Sequence, residues 1–173
     1  MDGIFVDELA RARIGATHNQ YADSELRRRR LAAYLASRRH ARVLLVGEAA
    51  GYRGARVSGL AFTSERQLTG AGPAEASATI VQRTLGELGI ADDVLLWNLV
   101  PTHPHRAGEP RSNRAPTRAE IDAARPFLDE LALGRRVLAV GRLAERELGA
   151  PYVRHPSHGG ARAFRATLRA CLR

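Results

Sequence analysis

Three polar residues, Glu48, Asn98 and His155, each follow a short apolar run: VLLV at 43–46, VLLW at 94–97 and YVR at 152–154. A short apolar run closed by glycine or a polar residue reads as a buried strand opening into a loop. The three residue types could do chemistry together. A glutamate can orient or activate a water. An asparagine amide offers both a donor and an acceptor, which suits the edge of an amide-like ring. A histidine can donate to an oxygen that gains negative charge as a leaving group departs. Phe62 could give such a ring a flat face to stack on, and Gly47, Gly51, Gly54 and Gly59 let backbone approach a flat or charged ligand. Each residue also has a plainer reading: Glu48 as a surface carboxylate, Asn98 as a satisfied loop amide, Phe62 as a core aromatic, His155 as a buried structural histidine.

The elements that must position these residues are legible in order. Residues 1–20 read as an N-terminal arm with a short amphipathic helix. Asp23 can cap a helix to about residue 39, with Leu26, Leu31, Tyr34 and Leu35 on one side. Arginines 27–30 make it strongly cationic, as either a solvated face or a phosphate contact. After the first strand and its glycine loop, Pro73 is placed to start a helix carrying Ile80, Val81, Leu85 and Leu88. A loop at 101–116 holds four prolines together with His103, His105, Arg106, Glu109 and Arg111; loops this long are usually functional or disordered. Thr117 and Glu120 form a capping box opening a helix to about residue 133, in which Pro126 predicts a kink or break. A strand at 136–140, a short helix at 143–148, a strand at 152–154 and a helix at 161–172 complete the chain. This alternation predicts an α/β fold: a single domain over residues 1–173 with a central four-stranded parallel sheet flanked by helices on both faces. The C-terminal ends of parallel strands share one edge, so Glu48, Asn98 and His155 should converge there.

Composition narrows the partners. Of 173 residues, 27 are basic, every one of them arginine, against 18 acidic residues, for a net charge of +9. Such a chain is expected to meet a polyanion, nucleic acid above all, through arginine–phosphate contacts; a compositional bias that serves solubility is the alternative. Cys171 is the single cysteine, which excludes a disulfide within the chain, a cysteine-based zinc site and a cysteine-ligated iron–sulfur cluster. No cofactor or metal is expected. Asp2, Asp7 and Glu8 argue against a signal peptide, and no apolar run approaches the roughly 20 residues of a membrane helix. A cytoplasmic, monomeric protein with no membrane partner is the expectation.

Four segments, spread over roughly residues 42–172, together resemble the motifs of the uracil-DNA glycosylase superfamily. Gly47-Glu48-Ala49-Ala50-Gly51 resembles the water-activating loop of its bacterial and archaeal iron–sulfur branch. Gly59-Leu60-Ala61-Phe62 is similar to the segment whose phenylalanine stacks on a flipped uracil. Asn98, followed by Asn113-Arg114-Ala115-Pro116-Thr117, resembles the strand end that reads the pyrimidine edge and its companion loop. His155-Pro156-Ser157 resembles the motif whose histidine stabilises the uracil O2 as the glycosidic bond breaks.

The resemblance implies hydrolysis of the N-glycosidic bond of uracil, or of other deaminated bases, in single- or double-stranded DNA. It implies catalytic roles for Glu48, Asn98 and His155, and substrate contacts from Gly47, Ala49, Gly51, Phe62, Asn98 and Ser157. Arg53, Arg114 and Arg162 are candidate phosphate contacts, and His158 or Arg162 would fill the gap in the base stack where relatives carry an apolar wedge. The chain departs from the pattern in lacking the cluster cysteines, so it is not a member of the iron–sulfur branch proper. Ala50 replaces a usual proline, which should loosen the water loop. Ala49 stands where other branches keep a catalytic aspartate, so Glu48 must serve or backbone must hold the water. Gly51 replaces a tyrosine that excludes the thymine methyl, which predicts a roomier pocket. Without lysine the chain has no side-chain amine for a Schiff base, so strand nicking is not expected.

Two other readings use the same residues. A non-catalytic reader of damaged or single-stranded DNA could employ the same pocket. A zinc hydrolase could draw on His103, His105, His155 and His158, although no carboxylate motif accompanies them. A P-loop enzyme is excluded by the missing lysine.

Overall fold

A computed structural model describes residues 2–173. Four strands form one parallel sheet: β1 (Val43–Ala49), β2 (Val94–Val100), β3 (Arg136–Val140) and β4 (Tyr152–Val153), in the order β2-β1-β3-β4. Side chains alternate across each strand, so the sheet feeds two cores. On one face, Leu44 and Val46 of β1 and Leu95, Trp97 and Leu99 of β2 pack against helices α1 (Asp2–Arg11), α2 (Glu25–Ser37), α6 (Arg118–Ala132) and α7 (Arg142–Leu148). On the other, Leu45, Leu96, Leu138 and Val153 meet α5 (Ala76–Glu87) and α8 (Ala161–Leu172) through Val81, Leu85, Phe164 and Leu168. The expected single α/β domain, with helices on both faces of four parallel strands, is what forms.

Several local expectations are corrected. The N-terminal segment is not a peripheral arm: Phe5, Val6 and Leu9 of α1 are buried, and the Phe5 ring packs edge-on against Trp97 with centroids 5.8 Å apart. Ser24 rather than Asp23 caps α2, accepting from the Arg27 backbone N–H. Helix α5 starts at Ala76, after Pro73 rather than on it. Helix α6 runs unbroken through Pro126 from its Thr117–Glu120 capping box. Proline in a helix interior costs about 3 kcal/mol. Burying Ile121, Leu128 and Leu131 contributes roughly 1.5–3 kcal/mol each, which outweighs that cost.

The glycine loop after β1 is more ordered than its composition suggests. It holds two short helices, α3 (Ala55–Ser58) and α4 (Glu65–Thr69). Two of the four arginines at 27–30, Arg27 and Arg30, are bound to this loop; Arg28 donates to the Tyr21 and Ala22 carbonyls, and Arg29 stays exposed beside Glu25. Arg27 Nε donates to the Val57 carbonyl at 2.9 Å, and Arg30 forms a two-pronged pair with Glu65 at 2.8 and 3.0 Å. Tyr21, fully buried, donates its hydroxyl to the Gly59 carbonyl at 2.9 Å. A cationic helix is thereby spent on holding the segment that carries Phe62.

Candidate active site

Strands β1 and β2 lie side by side with Gly47 opposite Asn98. A Cβ on Gly47 would lie 2.7 Å from Asn98 Oδ1 and 2.8 Å from Phe62 Cε2. The amide and the aromatic ring therefore meet over the backbone of residue 47, and only glycine leaves them room. Phe62 adopts φ 50°, a left-handed conformation uncommon for a bulky side chain. Such strain costs on the order of 1–3 kcal/mol and persists where the surroundings over-determine it. Here Gln82 Nε2 donates to the Phe62 carbonyl at 3.1 Å and to Thr63 Oγ1 at 2.9 Å. Buried Ser58 donates its hydroxyl to the Thr63 carbonyl at 2.6 Å and accepts from the Leu60 N–H at 3.0 Å.

These residues border a cleft of about 70 Å³ lined by Glu48, Ala49, Gly51, Phe62, Asn98 and His155, together with Ala55, Glu75 and Ser77. That volume lies well below the roughly 300–1,000 Å³ of ligand sites and leaves no room for a whole nucleotide. Glu48 is half-buried, and burial pushes its carboxyl above the usual range. Burial, then the nearby charges of Arg154 and His158, pull His155 below the usual histidine value. The Ser157 backbone N–H donates to His155 Nδ1 at 3.1 Å. Since Nδ1 must then be an acceptor, the hydrogen-bond network assigns the ring proton to Nε2. His155 is thus a neutral imidazole whose remaining nitrogen is a donor.

The loop at 47–51 is also held, although Ala50 was expected to loosen it. The Ala50 N–H donates to the Val100 carbonyl at 3.3 Å, and fully buried His103 donates its Nδ1–H to the Ala50 carbonyl at 2.7 Å. Two hydrogen bonds thus tether the backbone of residue 50. The model of the uracil DNA glycosylase superfamily matches residues 35–169, which span β1 to α8 and every residue bordering the cleft. This chain belongs to the uracil-DNA glycosylase superfamily. The crystal structure of wild-type Pedobacter heparinus SMUG2 superposes with a TM-score of 0.67 over 97% of this chain and 95% of that one, at 15% identity. At that identity the likeness speaks for the fold. No curated protein matches the sequence.

Within this superfamily fold the expected site residues separate into groups. Gly47 backs the cleft, and Glu48, Ala49, Gly51, Phe62, Asn98 and His155 line it. Ser157 does not line the cleft: it sits behind His155, its hydroxyl 2.8 Å from His155 Nδ1 and 3.0 Å from His158 Nδ1. His158 is exposed, with φ 52°, and Arg162 is exposed on the first turn of α8. Arg53 is exposed and shares an open groove with Tyr52, Arg56, Arg66 and Arg111.

Arg114 corrects the expectation of a free phosphate contact. Its guanidinium clamps Glu120 at 2.6 and 2.8 Å and also donates to the carbonyls of His105 and Ala115. Glu120 is only 2% exposed, and the Arg114 guanidinium holds its carboxyl below the usual range. Among the described residues, no group of three or more His, Cys, Asp or Glu side chains could hold a metal ion, and His103 is committed to the Ala50 carbonyl.

Sequence reasoning missed Glu75, which turns into the cleft from the residue before α5, and Gln82, Ser58 and Tyr21, which fix its walls; His103, considered there only as a possible zinc ligand, fixes a wall too. None carries a motif or a periodic signal; their roles arise only from the fold. The expected room over Gly51 is likewise absent, because a Cβ there would lie 2.5 Å from Glu75 Oε1.

Proposed function

We propose that this member of the superfamily is a DNA-repair glycosylase that hydrolyses the N-glycosidic bond of uracil in DNA and leaves the strand intact at an abasic site. Superfamily membership supports a DNA glycosylase in general, acting on DNA as a hydrolase. The reading for uracil rests on one observation above all. A phenylalanine, an amide, a neutral histidine with a free Nε2 donor and a carboxylate border one small cleft.

In this reading the damaged nucleotide leaves the base stack at a cost of a few kcal/mol. Phe62 stacks on the base, and the Asn98 amide donates to O4 and accepts from N3–H. As the C1′–N1 bond breaks, the electron pair moves into the base and negative charge gathers on O2. His155 Nε2–H stabilises that charge, as a preorganised donor does in a water-excluded site. The Glu48 carboxylate orients the water that adds to the cationic sugar and takes up its proton. Arg53, Arg162 and His158 are candidate contacts to the flanking strand. The missing lysine leaves no side-chain amine to form a Schiff base, since arginine stays protonated.

The test is release of free base from oligonucleotides carrying uracil, hypoxanthine or xanthine, single- and double-stranded, by wild type and His155→Ala. Uracil release is expected from wild type, and a loss of roughly two to three orders of magnitude in the variant. Tight binding of the uracil strand with no release would overturn the reading in favour of a non-catalytic reader.

A further inference from the structure

Gly51 and Gly54, in the loop after β1, leave open space above their backbones, and Glu75 fills it. A Cβ on Gly51 would lie 2.5 Å from Glu75 Oε1, and one on Gly54 would overlap Oε2. Both carboxyl oxygens are thus pressed against bare backbone. Glu75 occupies the position before α5 where a carboxylate usually accepts from the first helical N–H groups, yet it makes no such capping bond. Among the described residues it forms no ion pair, and burial alone pushes its carboxyl above the usual range. A carboxyl without polar partners, held by packing against two glycines, borders the same cleft as Phe62, Asn98 and Glu48.

We propose that Glu75 is a specificity-determining wall of the base pocket: its side chain takes the room that glycine at position 51 leaves and excludes a methyl group on the pyrimidine ring. This rests on the reading that the cleft receives a flipped base. It replaces the roomier pocket expected from Gly51 with a closed one, whose closing group comes from a different element. Rejecting one extra methyl group in a fitted pocket amounts to about 10–200-fold, so the discrimination is of measurable size.

The experiment compares the full chain with Glu75→Ser and Glu75→Gln, measuring kcat/KM for uracil in G·U and for thymine in G·T duplexes. Serine is a favoured residue before a helix, so the short variant supports the start of α5 while it opens the wall. Glutamine keeps the volume. The thymine-to-uracil ratio should rise about 10–200-fold in Glu75→Ser and stay at the wild-type value in Glu75→Gln. If the serine variant lost its melting transition, Glu75→Asp, one methylene shorter, would be read the same way. An unchanged ratio in the shortened variant, with uracil still released, overturns the inference and leaves base excision standing. A ratio raised equally in Glu75→Gln overturns it too, because the volume there is preserved. A wild-type protein that releases neither base removes both readings.

Discussion

At the residue scale, the proposed chemistry depends on the protonation states of His155 and Glu48. Protonating His155 would put a hydrogen on Nδ1, facing the Ser157 N–H that now donates to it. Protonating Glu48 would remove the carboxylate proposed to take the water's proton. His155 titrates below its ordinary 6.5 and Glu48 above its ordinary 4.5, both because of burial. Each loses its working form as pH falls, so the single-turnover rate should be level at neutral and alkaline pH. It should decline on the acid side, as His155 and Glu48 take up protons. A pH–rate profile with an alkaline limb in place of the acid one would contradict this assignment. Asn98→Asp should weaken uracil excision, because a carboxylate cannot donate to O4; steady-state rates on uracil and cytosine substrates measure it, and an unaltered base preference would remove Asn98 from base reading. These residues were legible because each ends an apolar run, and strand ends of a parallel sheet share an edge. Glu75 was not, because its side chain reaches the cleft from the start of a helix in an Ala- and Gly-rich stretch, with no pattern that announces it.

At the element scale, the sheet and most of the longer helices could be read from hydrophobic periodicity, whereas α3 and α4 could not. Helices of four and five residues complete barely one turn and display no amphipathic period. The role of α2 was hidden for another reason. A run of arginines looks the same whether it meets water, phosphate or the chain's own carbonyls, and here Arg27, Arg28 and Arg30 meet carbonyls and the carboxylates of Asp23 and Glu65. Arg114 shows the same ambiguity. Removing it would leave Glu120 buried and uncompensated, and breaking a buried pair costs about 3–5 kcal/mol. Arg114→Ala should therefore lower the melting temperature by roughly 6–20 °C, at 2–4 °C per kcal/mol for a chain of this size. Thermal denaturation checks it; an unshifted midpoint would return Arg114 to the list of free cations.

At the scale of the whole molecule, a net charge of +9 is set beside a cleft whose mouth has cationic flanks. Tyr52 and Arg53 follow cleft residue Gly51, Pro73 and Ala74 precede Glu75, and Arg56, Arg66 and Arg111 complete the same groove. A strand held there would exchange condensed counterions for arginines, so affinity should fall steeply and linearly on a log–log salt plot. Arg53→Ala and Arg111→Ala should each reduce that slope by about 1. Fluorescence anisotropy at several salt concentrations measures it, and a flat profile would assign the charge to solubility. Among the described residues, no helix is long and apolar enough to cross a membrane.

Base excision without strand cleavage is the central claim, and one measurement addresses it directly: incubation of the wild-type protein with an oligonucleotide carrying labelled uracil, with and without borohydride. The account predicts free uracil, an unbroken strand that breaks only on later treatment with alkali, and no protein–DNA adduct in either arm. An intact, unaltered uracil strand, or a covalent adduct that forms only with borohydride, would contradict it.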